Sequence, residues 1–187
     1  MKHKIAIIAG HSNSAPGALC YDGSYEHDHT HTLQKMIISL QAETAMYQGS
    51  SMQPATDHEA LNLRSVVNLI NNNKQLSHGI DLHFNNNNPH ASGVEVIVHP
   101  RTSTENKERA SRIVKGVSQI LNLPHRKRVA SRDYIYPDET PRKTLAIIDQ
   151  TTIPMILLEI CFLNSNDMPI YIEKKADVAH FVANEIF

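Results

Sequence analysis

The stretch Ile5-Ala6-Ile7-Ile8-Ala9-Gly10-His11 decides how the rest of the chain is read. Five apolar residues run without a polar break and stop at a glycine. A strand buried on both faces has that pattern, whereas a half-exposed strand alternates. The basic start Met1-Lys2-His3-Lys4 is followed by an apolar run too short for a secretory h-region, so no signal peptide is expected and synthesis is assigned to the cytoplasm. Working outward, Leu33, Met36, Ile37 and Leu40 fall at i, i+3, i+4 and i+7, one face of a helix. A short strand is expected at Ala45 to Tyr47. Thr56-Asp57-His58-Glu59 has capping-box spacing before the helical stripe Leu63, Val66, Val67 and Ile70.

The second half repeats the alternation. Gly79 to Phe84 and Gly93 to Val98 read as strands, and Thr102 to Glu105 as a second capping box. A helical face follows at Ala110, Ile113, Val114, Val117 and Leu121. The basic run His125-Arg126-Lys127-Arg128 reads as a solvated loop. Met155 to Ile160 is an apolar strand interrupted by one carboxylate, Glu159, and a last helix is expected from about Asp167. Strands separated by helices predict an α/β fold: one domain over residues 1–187, a twisted, mostly parallel sheet with helices on both faces.

Composition narrows the function. The chain has 187 residues, long enough for one full core, with 41% apolar and 20% charged side chains. Its formal net charge is −1, from 18 basic and 19 acidic residues, so general attraction to nucleic acid or to an anionic membrane is not expected. No window approaches the length of a membrane span. Two cysteines, Cys20 and Cys161, cannot form a disulfide framework, which suits a reducing compartment. Both are expected to be inert and apolar, with Cys161 on the strand face opposite Glu159. Histidine is the outlier, with 12 copies.

In open α/β sheets ligands sit beyond the carboxyl ends of strands. Ionisable residues near such ends are His11, His83 and Glu159, with Glu26 on the loop before the first helix. Two imidazoles and one carboxylate would make a three-ligand zinc site with an open fourth position, and a spare carboxylate beside it would be the general base. Such an ion lowers the pKa of water from 15.7 toward ~7 and polarises a carbonyl, which is amide-hydrolase chemistry. Spacing alone forces nothing, since 15 residues separate His11 from Glu26 and 57 separate Glu26 from His83. Asp28, His27 and His29 compete with Glu26 as donors. His27, His29 and His31 are otherwise read as surface or supporting residues. Asp81, two positions before His83, projects to the same strand face and could support it.

The local sequences add a resemblance. Ala9-Gly10-His11, then Pro16-Gly17-Ala18 and Asp22-Gly23-Ser24-Tyr25-Glu26, then Asp81-Leu82-His83-Phe84-Asn85 and Gly93-Val94-Glu95-Val96, and finally Pro154 to Glu159 with Asn164 to Asp167, occur in order. They resemble the zinc-dependent N-acetylmuramoyl-L-alanine amidases of cell-wall remodelling enzymes and phage endolysins. The resemblance covers Lys4 to Phe187. It implies Zn2+ held by His11, Glu26 and His83, and Glu159 as the catalytic residue. It further implies cleavage of the amide between the lactyl group of N-acetylmuramic acid and L-alanine in peptidoglycan. Two positions depart from the family: His27 stands where lysine is common, and Ser12 where glycine is usual.

Regulated members of that family carry a blocking helix after the strand at Gly93. Here only Pro100 and Arg101 separate His99 from Thr102, so an open site is expected. The expected role is that of a phage or prophage endolysin acting on the wall after release. The competing readings are a zinc carboxypeptidase or amino-acid deacylase and a non-catalytic metal- or wall-binding module. The exopeptidase reading needs an arginine to grip a terminal carboxylate, with Arg101, Arg132 and Arg142 as candidates. Glu159 speaks against the non-catalytic module, because metal binding alone does not require it.

Overall fold

The apolar run after the N-terminus forms strand β1, Lys4–Ala9, in a computed structural model that describes residues 4–47, 63–87, 89–131 and 145–187. Helix α1 follows at Glu26–Tyr47 and α2 at Leu63–Asn72. Strands β2, Leu76–Asn85, and β3, Val94–Val98, precede α3, Thr104–Leu121. Then come β4, His125–Ser131, a short α4, Ala146–Asp149, β5, Met155–Phe162, and α5, Asp167–Ile186.

The five strands form one sheet in the order β1-β2-β5-β3-β4. The β1–β2, β2–β5 and β3–β4 pairs are parallel, and only β3–β5 is antiparallel. Both faces are covered, as the alternation predicts. On one side Leu33 and Ile37 of α1, Ile113 and Val117 of α3 and Val178 and Val182 of α5 pack on Ile7, Leu82, Val96 and Leu158. On the other, Val66, Val67 and Ile70 of α2 with Ile147 and Ile148 of α4 pack on Ala6, Ile8 and Leu157. Each of the valine, leucine and isoleucine side chains contributes about 1.5–3 kcal/mol by leaving water. No helix among the described residues is long and apolar enough to cross a membrane.

Several local expectations need correction. Residues 45–47 continue α1 rather than forming a strand. No glycine or proline interrupts the chain between Leu40 and Tyr47, so nothing stops the helix. The basic run from His125 is strand β4, held to β3 by main-chain pairing, rather than a loop. The cap of α3 is Ser103, whose hydroxyl accepts from the Asn106 N–H at 3.2 Å. Thr102 sits one residue outside, in a turn closed by its own N–H on His99 O, and its hydroxyl accepts from the Asn106 side chain instead. The capping box expected at Thr56 to Glu59 lies outside the described residues.

Strand β5 carries a register break that matters for the site. His83 pairs with Glu159, but Asn85 pairs with Phe162, so β5 holds one extra residue there. Such a bulge turns the side chains that follow it. Ile160 and Cys161 consequently both enter the core beneath α1, α3 and α5. Cys161 therefore does face away from Glu159. The bulge is the cause, because strict alternation would return it to the same side.

Candidate active site

Sheet register assembles the site. Gly10 N–H donates to Leu82 O at 2.8 Å, setting the end of β1 beside His83. His83 on β2 is the register partner of Glu159 on β5, and Glu159 is the partner of Glu95 on β3. One row across β2, β5 and β3 thus carries His83, Glu159 and Glu95, and His11 joins it from just beyond the end of β1. Glu26 arrives from outside the sheet as the first residue of α1. The helix start is fixed by Asp28, whose carboxylate accepts the Tyr25 N–H at 2.8 Å, and by Glu26 N–H donating to Ala18 O at 2.9 Å.

Glu26 is the hub. Its Oε2 lies 3.0 Å from His11 Nε2 and its Oε1 lies 3.1 Å from His83 Nδ1. Oε1 also accepts the Phe84 N–H at 3.0 Å. One donor atom each from His11, Glu26 and His83 lie within 4.8 Å of one another. His11 reaches inward because it adopts φ 67°, a left-handed conformation that turns the chain sharply off β1. On its far side His83 Nε2 lies 3.3 Å from Asp81 Oδ2, so a carboxylate orients the ring.

Two glycines leave room for this cluster. A Cβ on Gly10 would sit 2.5 Å from His83 Cε1 and 2.6 Å from Leu82 O. A Cβ on Gly17, which adopts φ 79°, would sit 2.7 Å from His11 Cδ2 and 2.8 Å from Glu26 Oε2. A cavity of about 600 Å³ opens in front, with His11, Asp81, His83 and Glu159 on its polar side and Ile8, Val66, Ile147 and Leu157 on its apolar side.

The charges are tightly coupled. Burial pushes the Glu26 carboxyl up, but hydrogen bonds from His11 and His83 outweigh it and bring it down to about 2. Burial disfavours a charged His83, yet Asp81 and Glu26 hold that ring well above the usual histidine range. Glu159 goes the other way. Burial raises it to about 7; His83 pulls it down, while Glu26, Glu95 and Asp81 push it up. Its Oε2 is closed off from solvent without a hydrogen-bond partner. Asp81 Oδ1 is in the same condition.

Two imidazole nitrogens and a carboxylate suit a divalent transition metal such as zinc. Three observations fit a cation there: the converged donors, the two glycines that keep the space clear, and the buried unpartnered oxygen of Glu159 alongside.

The sequence profile of the family described as N-acetylmuramoyl-L-alanine amidase matches residues 5–186. The chain belongs to this family. Solved structures agree on the fold. An N-acetylmuramoyl-L-alanine amidase from Clostridium difficile 630 superposes with a TM-score of 0.75 at 18% identity, covering 98% of this chain and 94% of that one. The amidase AmiC2 of Nostoc punctiforme gives 0.74 at 17% identity, covering 100% and 96%. The catalytic domain of an endolysin targeting Clostridium difficile gives 0.70 at 17% identity, covering 98% and 96%. No curated protein sequence gives a match.

In this amidase-family chain the three residues picked near strand ends, His11, His83 and Glu159, and the loop residue Glu26 are brought to one place. Of the neighbours competing with Glu26, Asp28 caps α1 and does not join the group. His27 is buried, not on the surface, and its Nδ1 meets Gly10 O at 3.0 Å, behind His11. His31 stacks on His27 with ring centroids 5.4 Å apart. His29 packs away from the site, against Phe84 and Tyr171. Asp81 takes the supporting place its spacing suggested. Arg101 is exposed and does not line the cavity; Arg132 and Arg142 lie outside the described residues. Glu95 was not anticipated. Its signal was present, as the one carboxylate within Gly93 to Val98 and as isolated there as Glu159 is in β5.

Proposed function

We propose that this chain is a zinc-dependent N-acetylmuramoyl-L-alanine amidase, with His11, Glu26 and His83 holding the ion and Glu159 as its acid–base residue. The observation that carries the reading is the convergence of three donors from separate elements, with the buried, unpartnered carboxylate oxygen of Glu159 on the adjoining strand. Zinc in that place would polarise the scissile carbonyl and make water acidic enough to attack near neutral pH.

The chain's own groups do the rest. Glu159 takes a proton from the attacking water as the new C–O bond forms at the lactyl carbonyl. It then delivers that proton to the L-alanine nitrogen as the C–N bond breaks, leaving a lactyl carboxylate and a free amine. Burial and the nearby carboxylates raise this carboxyl above the usual carboxylate range in the metal-free site, which favours a group that both takes and returns a proton. Asp81 keeps the His83 ring oriented, and the Phe84 N–H fixes one oxygen of Glu26.

The reading extends to an unregulated, endolysin-like role in wall lysis. It is supported by the connection between β3 and α3, where residues 99–103 form a turn and not a helix. The substrate is peptidoglycan. Digesting purified peptidoglycan with and without a chelator, then weighing the products, tests the proposal. Intact stem peptides with a free L-alanine amine should appear and should vanish with chelator. Release of single amino acids instead would establish an exopeptidase.

A further inference from the structure

A second cluster of metal-ligating side chains lies on the loop that leads into α1. Cys20, Asp22 and His29 offer a sulfur, a carboxylate oxygen and a ring nitrogen, all within 4.8 Å of one another. The amide-hydrolysis reading uses none of them. We propose that Cys20, Asp22 and His29 form a second site, for a zinc-class transition-metal dication, that clamps the loop delivering Glu26. This does not depend on the metal assignment at His11, Glu26 and His83.

Local structure gathers the donors. Cys20 N–H donates to Ser24 O at 2.8 Å and Gly23 N–H to Cys20 O at 3.1 Å, a tight turn in which Gly23 takes φ 89°. His29 sits in the first turn of α1, its ring held against Phe84 and Tyr171 at centroid distances of 5.8 and 6.4 Å. That packing leaves Nε2 2.7 Å from Ser24 Oγ, which in turn donates to Asp22 Oδ1 at 2.5 Å. Cys20 is buried, and its thiol points at Leu163 O from 3.4 Å. Drawing such donors onto metal bonds of about 2.0–2.3 Å takes movements of roughly an ångström. The exposed Asp22 is free to make the largest of them.

The donor chemistry selects the ion. One thiolate, one imidazole and one carboxylate suit zinc or cobalt, whereas magnesium and calcium take oxygen ligands. On binding, the Cys20 thiol proton leaves to solvent and the remaining Nε2 proton of His29 moves to Nδ1 by way of solvent. The Ser24 hydroxyl or solvent fills the fourth position. The consequence reaches the active site, because the same loop holds Glu26. Ala18 O accepts the Glu26 N–H, Pro16 O accepts the His27 N–H, and the Ala18 N–H lies 3.4 Å from Glu26 Oε2.

The test is a cobalt titration of the full chain stripped of metal, following the thiolate-to-cobalt charge-transfer band and counting bound metal by equilibrium dialysis. Wild type should show the band. Cys20→Ser and the surface change Asp22→Ala should each bind one fewer, and Cys20→Ser should lose the band. His83→Ala should keep the band, which separates this site from the other. Saturation without a thiolate band overturns the proposal, as does a metal count unchanged in both Cys20→Ser and Asp22→Ala.

Discussion

Glu95 stands directly opposite Glu159 across the antiparallel β3–β5 pair. Like charges at facing positions repel, so the pair disfavours two ionised carboxylates. Burial is the larger influence on Glu159; Glu26, Glu95 and Asp81 add to it against the pull of His83, and the carboxyl arrives at about 7. The carboxylates around the row thereby tune the residue that must take and return a proton.

Replacing Glu95 by Gln should therefore move the acid limb of the kcat/KM profile to lower pH, because Glu159 would hold its proton less tightly. Plateau activity should stay within a few-fold, since Glu95 does not line the cavity. A pH–rate profile on soluble muramyl peptide checks both. An unmoved limb would show that Glu95 does not act on Glu159.

Glu159→Gln should keep bound metal and lose about 10²–10⁴ of turnover, the usual worth of a positioned acid–base group. It also carries a stability signature. A carboxyl whose folded pKa is raised from 4.5 to about 7 adds stability that is complete below the unfolded value and is lost as pH rises through 7. In chelator, wild type and variant should match near pH 4, and the variant should be more stable near pH 8 by on the order of 2–3 kcal/mol. Denaturant melts at the two pH values measure this, and equal differences at both would contradict it.

The elements that sequence made legible are those with a period. The apolar runs of β1 and β5 and the helical stripes of α1, α2 and α3 stand where their patterns put them. Strand β4 was hidden because an edge strand is held by main-chain pairing, which His125-Arg126-Lys127-Arg128 does not advertise. The extension of α1 was missed because the absence of a breaker is a weaker signal than a breaker. At the site, His11 and His83 were readable as ionisable residues near strand ends and Glu26 as a loop carboxylate, but their meeting was not. Register and the left-handed turn at His11 bring them together, and neither is written in spacings of 15 and 57 residues.

Asp81→Asn separates two influences on His83. The carboxylate accepts the Nε2 proton and so orients the ring, and its charge also favours the doubly protonated ring, so zinc must displace the proton on Nδ1, the side facing Glu26, to bind. At alkaline pH, where the ring is neutral in both proteins, the variant should bind zinc about 10–100-fold more weakly. Its pH dependence of binding should be shifted to lower pH, because the proton is easier to remove. Competition titrations against a chromophoric chelator across pH would show both. His83→Ala should lose metal and turnover together.

Gly17→Ala tests whether the space around the donors is itself part of the site. Gly17 takes φ 79°, which costs an L-residue about 1–2 kcal/mol, and the added carbon would press on His11 Cδ2 and Glu26 Oε2 at 2.7 and 2.8 Å. Glu26 cannot retreat easily, being held by the Phe84 N–H and the start of α1, and any retreat of the His11 ring would carry it away from the other donors. The variant should fold with a modest loss of stability yet bind zinc far more weakly, with turnover falling in proportion to occupancy. Circular dichroism, thermal melts and metal analysis on one preparation would resolve these. A variant with full zinc content and wild-type rate would show that the donors rearrange freely, and that the clearance provided by Gly17 is incidental.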